Sequence, residues 1–157
     1  MPDFRLREDC RRWFGHISKR TPFSTLFDSY YLCFLLGVAA RHTSNPSKGA
    51  EAHAFVATFP RPYDQQQRLL IGLMIDAELV RLGIEPTDRA SVNRIVNEIA
   101  GPGGLTSQGA ARMNNYASGG FDLLIEEYRE DEPRTAAEFL PRYLRILDAA
   151  SGMRLSV

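Results

Sequence analysis

The chain has 157 residues, enough for one domain with its own hydrophobic core and no need of disulfides or a structural metal. Its 44% hydrophobic and 24% charged residues are ordinary for a soluble globular protein, and its two cysteines, with no Cys or His nearby at ligand spacing, do not make a zinc site. Net charge is zero, yet residues 1–48 hold eight Lys/Arg against four Asp/Glu, so the front is basic and the remainder acidic.

The predicted elements are helical almost throughout. Leu6, Cys10, Trp13, Phe14 and Ile17 fall on one face of a first helix, with Arg7, Arg11, Arg12 and Lys19 largely elsewhere. Pro22 ends it. Thr25 followed by Asp28 has the spacing of a capping box, and Leu26 to Ala40 is apolar nearly all round, the pattern of a central buried helix. His42 to Ser47 reads as a loop around Asn45-Pro46, and the Ala-rich stretch 50–58 before Pro60 and Pro62 is ambiguous, a short helix being one reading. Asp64 caps a helix that runs to Leu82 and stops at Gly83; Thr87 caps the next, with Val92, Ile95, Val96 and Ile99 as its stripe. After a glycine-rich loop over 101–109, a helix from about Ala110 reaches Gly119-Gly120, which read as a turn, and a new helix starts near Phe121 with Asp122 as its cap. Thr135 and Glu138 box the last helix, Ala136 to Ala150, in which Pro141 should kink the pattern or shift its start. Only Phe4-Arg5-Leu6 and the last residues have strand character. The expectation is an all-α fold: a single compact domain over residues 1–157, with about six helices.

Cys10 and Cys33 each fall in an apolar pattern and read as small core residues in a reducing compartment. No apolar signal region opens the chain and no apolar run reaches membrane-spanning length, so a cytoplasmic protein without membrane contact is expected. The loop at Gly101 lacks the Gly-Lys-Ser/Thr ending of a nucleotide-binding loop. Asp76 and Glu78 are two apart on a helix and do not face each other, and His16, His42 and His53 are scattered, so no metal-binding or catalytic cluster is visible. The aromatics Phe23, Phe27, Tyr30, Tyr31 and Phe34 could stack on bases, but their apolar surroundings assign them to the core.

Two features carry functional meaning. The basic first helix, with Arg7, Arg11 and Arg12, followed by Lys19 and Arg20, can present guanidinium groups to a phosphate backbone, although a solvated helix face has the same pattern. The second is the run from Met113 to Asp122. Asn114, Asn115, Tyr116 and Ser118 are hydrogen-bonding groups in a row, Gly119 and Gly120 let a backbone approach a partner closely, and Arg112 beside them would help fix a phosphate. A turn between helices with Asp122 as a cap accounts for the same residues.

The order Asn115-Tyr116, Gly119 or Gly120, Phe121-Asp122 and Leu124 resembles a motif of the DndE family of DNA sulfur-modification (phosphorothioation) proteins. Phe4-Arg5-Leu6, the basic helix, Lys19-Arg20-Thr21 and the helix with Leu32-Cys33 and Leu36-Gly37 are similar to that family's N-terminal part, and Tyr143, Leu144, Arg145 and Leu147 to its last helix. Residues 48–110 have no counterpart in compact members. The greater length is more like the SspB branch, a subunit of the single-stranded phosphorothioation system. The resemblance implies an all-α, homo-oligomeric protein that binds double-stranded DNA, nicked duplex included. For the SspB-like branch it implies a DNA-nicking endonuclease activity within a bacterial defence system related to restriction-modification. It further implies a cysteine desulfurase and ATPase subunits as partners, and no permanently bound cofactor, with Mg²⁺ or Mn²⁺ serving any cleavage. Carried over by position, Asn115, Tyr116 and Asp122 are the candidate catalytic residues. Gly119, Lys19 and Arg20 are candidate DNA contacts, beside Arg7, Arg11, Arg12, Arg112, Asn114, Ser118 and Gly120 from the reading of the residues. The alternative is a non-catalytic helical adaptor that scaffolds a multi-protein complex, using the acidic stretch 126–132 toward a basic partner.

Overall fold

The computed structural model describes residues 3–17, 25–47 and 51–152. Lys19 and Arg20 lie outside them. The fold is predominantly helical, with seven helices and two small two-stranded sheets among the described residues. The chain opens with strand β1 (Phe4–Arg7) and helix α1 (Glu8–Gly15), followed by α2 (Leu26–Ala40). Strand β2 (Ala52–Val56) and the short helix α3 (Arg61–Asp64) lead to α4 (Gln67–Arg81) and α5 (Arg89–Ile99). A two-residue ladder, β3 (Ala100–Gly101) and β4 (Gly104–Leu105), precedes α6 (Ser107–Glu127) and α7 (Ala136–Gly152). Among the described residues no helix is long and apolar enough to cross a membrane.

Helix α2 is the axis of the molecule. Thr25 and Asp28 form the expected capping box, and Phe27, Tyr30, Cys33, Phe34, Leu36 and Val38 are all buried, as the all-round apolar pattern requires. The aromatics of α2 therefore belong to the core, Phe27 packing on Phe4 and Tyr63. Helix α6 packs along α2 at backbone distance. A Cβ on Gly120 would fall 1.7 Å from the Cys33 carbonyl oxygen, and one on Gly37 would fall 2.0 Å from that of Tyr116. Only glycine permits this approach, and it explains both residues without any ligand.

Three expectations are corrected. The 50–58 stretch contains a strand rather than a helix: β2 pairs antiparallel with β1, Leu6 opposite His53 and Arg7 opposite Ala52, so the fold is not wholly α. Asp64 closes α3 instead of capping α4, and Asp88, not Thr87, caps α5 by accepting from the Ser91 backbone N–H. The run 107–127 is one unbroken helix, so Gly119 and Gly120 are not a turn and Asp122 is not an N-cap. Pro141 stands inside α7, which continues through it.

Candidate functional site

Two charged clusters are organised around α6. The first has Glu78 of α4 at its centre, a carboxylate only 1% exposed. Arg81 grips it with Nε at 2.7 Å and Nη2 at 3.2 Å, the Tyr116 hydroxyl donates to it at 2.7 Å, and Arg112 Nη1 completes the set while its Nη2 reaches Glu98 at 2.6 Å. Burial pushes the Glu78 carboxyl up, but the bonds from Arg81 and Tyr116 and the charges of Arg81 and Arg112 outweigh it and hold it below the usual carboxylate range. Burial and the bond to Glu78 push the Tyr116 phenol well up, so it stays protonated as a donor.

The second cluster reverses the signs. Arg7, at the end of β1, is 8% exposed and lies over the Phe121 ring, 5.1 Å from its centroid. Its Nε and Nη2 take Asp9 in a two-pronged contact at 3.0 and 2.7 Å, while Nη1 takes Asp122 and the Ser118 hydroxyl, the latter at 3.2 Å. Ser118 also shares a bond with Ser44 at 2.7 Å, and the Ser44 backbone N–H donates to the Asn115 carbonyl at 3.1 Å. Burial opposes the Arg7 charge, but bonds to Asp9 and Asp122 hold its pKa above the ordinary value. The Asp9 and Asp122 side chains are 31% and 37% exposed, so this cluster has an open edge made of carboxylates alone, where the first turns Arg81 and Glu98, of opposite sign, toward solvent.

The motif residues therefore divide. Tyr116 is enclosed and spent on Glu78. Asn114 is saturated: its Oδ1 accepts from the Tyr30 hydroxyl at 2.7 Å and the Arg5 backbone N–H at 3.0 Å, and its Nδ2 donates to the Asp3 carbonyl at 3.0 Å, which fastens β1 to α6. Ser118 is buried, Gly119 backs against the His42 carbonyl and Gly120 against α2, so none of these offers its backbone to a ligand. Arg7 and Arg112 are each taken by two carboxylates rather than presented to phosphate. Asn115 is half-buried and Asp122 half-exposed, seven residues apart and so on one face of α6. Arg11 and Arg12 are exposed on α1, Arg12 one turn beyond Asp9 and on its side of the helix.

Sequence reasoning weighed Glu78 only beside Asp76 as a metal ligand and missed it as the centre of an ion-pair cluster. Its signal is present, since it continues the buried stripe Leu70, Ile71, Met74 and Ala77 at helical spacing, and a carboxylate on such a stripe requires partners. It missed Asp9 as well. The open edge of the Arg7 cluster does not fit Mg²⁺ or Mn²⁺: both carboxylates bind the guanidinium between them, where an ion would have to sit. Among the described residues no three His, Cys, Asp or Glu gather as a metal site. Cys10 and Cys33 are free and buried, their sulfurs 3.8 Å apart between α1 and α2.

Comparison with protein-family models, with curated proteins and with solved structures finds no match to this chain.

Proposed function

We propose that this chain is a DNA-binding component of a bacterial DNA phosphorothioation system, with DNA nicking as the activity to be tested, acting with a cysteine desulfurase and ATPase subunits. The observation that carries the reading is which parts assemble. Two of the three stretches that resemble the DndE family, 4–40 and 113–124, pack on each other through Arg7 with Asp122, Asn114 with β1, and Gly37 with Gly120, and the third meets the first where Tyr143 donates to the Leu32 carbonyl. The intervening helices α4 and α5 lie outside that unit as an addition to it, and contribute Glu78 and Glu98. The proposed contact surface is the open edge: Asn115 and Asp122 of α6, with Arg11 and Arg12 of α1 supplying positive charge. Asp122 is the candidate for any nicking role. Tyr116 and Asn114 serve as its scaffold. The test is a gel shift on intact and nicked duplex across salt concentrations, in which affinity should fall steeply with salt. Absence of binding at low salt removes the reading. Relaxation of supercoiled plasmid in Mg²⁺ or Mn²⁺ tests nicking, and an Asp122→Asn protein that relaxes plasmid at the wild-type rate removes Asp122 from it.

One observation favours an adaptor role as a second reading. Leu69, Leu73 and Val80 stand on one side of α4 with exposures of 63%, 37% and 46%, an apolar seam of helical spacing suited to a partner helix. Loss of ATPase-subunit capture by a Leu69→Asp, Val80→Asp protein that still binds DNA would support it.

A further inference from the structure

Arg41 stands apart from every other half-buried or buried arginine described. It follows α2 with φ 54° and ψ 42°, the only non-glycine residue in the left-handed region among those described. Side chains disfavour that conformation, and glycine is the usual occupant of this position after a helix. Its guanidinium is also unlike those of Arg7 and Arg112. Those two hold carboxylates on both prongs, whereas the Arg41 Nε is enclosed and has no hydrogen-bond acceptor. A buried donor without an acceptor is rare, and calls for an explanation.

Its place in the fold supplies one. The segment that Arg41 begins runs along the face of α6 that carries Asn115, Ser118 and Asp122. The His42 carbonyl abuts Gly119, the Ser44 N–H bonds to the Asn115 carbonyl, and the Ser44 hydroxyl bonds to Ser118. Arg41 therefore opens the segment that borders the surface assigned above to DNA, and its buried Nε is a donor that the protein leaves unsatisfied. A glycine would cap α2 with less strain, so what the arginine adds is its side chain.

We propose that Arg41 is an anion-binding residue whose ligand is a phosphate oxygen, supplied by the phosphodiester backbone if the proposed function, on which this inference rests, is correct. Binding would draw the guanidinium toward the phosphate and give Nε its first acceptor, with two parallel N–H···O bonds to one phosphate. No bond is made or broken beyond hydrogen bonds.

Arg41→Gly separates the two roles, because it removes the side chain and relieves the backbone together. Its thermal midpoint should equal or exceed that of the wild type, so the fold survives the test. Its affinity for a short duplex should drop about fivefold to tenfold near 0.1 M salt, and the slope of log affinity against log salt should shrink by about one. Arg41→Lys should keep the slope and lose part of the affinity, since it retains charge without the fork. In parallel, inorganic phosphate titrated at constant ionic strength should raise the wild-type midpoint more than that of Arg41→Gly. If both proteins bind duplex with the same affinity and slope, the inference falls and the proposed function stands. If the wild type binds no duplex but the phosphate response depends on Arg41, the proposed function falls and the site belongs to a free phosphate. If neither response depends on Arg41, the residue is a strained cap and nothing more.

Discussion

The two charged clusters are built as opposites. At one, a buried carboxylate, Glu78, is gripped by Arg81, Arg112 and the Tyr116 hydroxyl; at the other, a buried guanidinium, Arg7, is gripped by Asp9, Asp122 and Ser118. Tyr116 and Ser118 are two residues apart, just over half a helical turn, so α6 feeds one cluster from each side. They differ in where the partners' spare capacity points. The Glu78 carboxylate is closed to solvent and its cluster balances Glu78 and Glu98 against Arg81 and Arg112, whereas Asp9 and Asp122 turn toward water with one negative charge in excess. A neutral cluster is complete in itself and holds the fold. The unbalanced one is where a ligand can be met, and because its excess is negative, Arg11 and Arg12 of α1 have to supply the attraction for a phosphate backbone.

The comparison can be broken in four ways. The largest effect is expected from Glu78→Ala, which leaves Arg81 and the enclosed Tyr116 phenol without their acceptor and Arg112 with Glu98 alone, and should cost about 3–4 kcal/mol in urea unfolding. Arg7→Ala should cost less, roughly 2 kcal/mol, because Asp9 and Asp122 can rehydrate where they stand, whereas the enclosed Tyr116 hydroxyl of the other cluster cannot. Equal costs for the two would erase the distinction. Tyr116→Phe removes one hydrogen bond to a charged acceptor and should cost about 1.5–3 kcal/mol, with DNA affinity unchanged. A large loss of affinity at unchanged stability would return Tyr116 to the site. Asp122→Asn should be the mildest, below about 1 kcal/mol, since Asp9 still holds Arg7 with both prongs.

Acid offers a separate way to sharpen the contrast. The folded pKa of Glu78 lies below its unfolded value, so the unfolded chain binds the extra proton as pH falls. The stability from this group is fully present above the ordinary carboxylate range, about pH 4.3, and is lost as pH drops through the lower folded value. Unfolding free energies measured from pH 6 to pH 3 should fall more steeply for the wild type than for Glu78→Gln. Parallel curves would show that the carboxylate is not held as described.

Much of the architecture was legible in the residues. Thr25, Asp28 and the apolar run to Ala40 specify α2 from end to end, because a capping box and an all-round apolar pattern are local signals. Leu6, Cys10, Phe14 and Ile17 are buried as their spacing indicates, although Phe4 to Arg7 is strand. The site was harder to read. Gly119-Gly120 resembles a turn when seen alone; its meaning depends on Cys33 and His42, more than seventy residues earlier. Asn114 looks like a surface amide until Tyr30 and the β1 backbone are brought to it, and Ala52–Val56 becomes a strand only because β1 lies beside it. Wherever the deciding contact is remote along the chain, local pattern favours the exposed interpretation of a polar residue, and here that placed several structural groups at the surface.

The crossing of α2 and α6 has a mechanical consequence. With backbone atoms in contact at Gly37 and Gly120, no compliant layer of side chains lies between the two helices to absorb a displacement. The pair behaves as a single stiff rod. Arg41 at the end of α2 and the Asn115–Asp122 face of α6 are therefore held at a constant spacing, as marks on a ruler. A nucleic-acid backbone laid across them would have to conform to that interval, and the protein would measure its partner's geometry without itself changing shape.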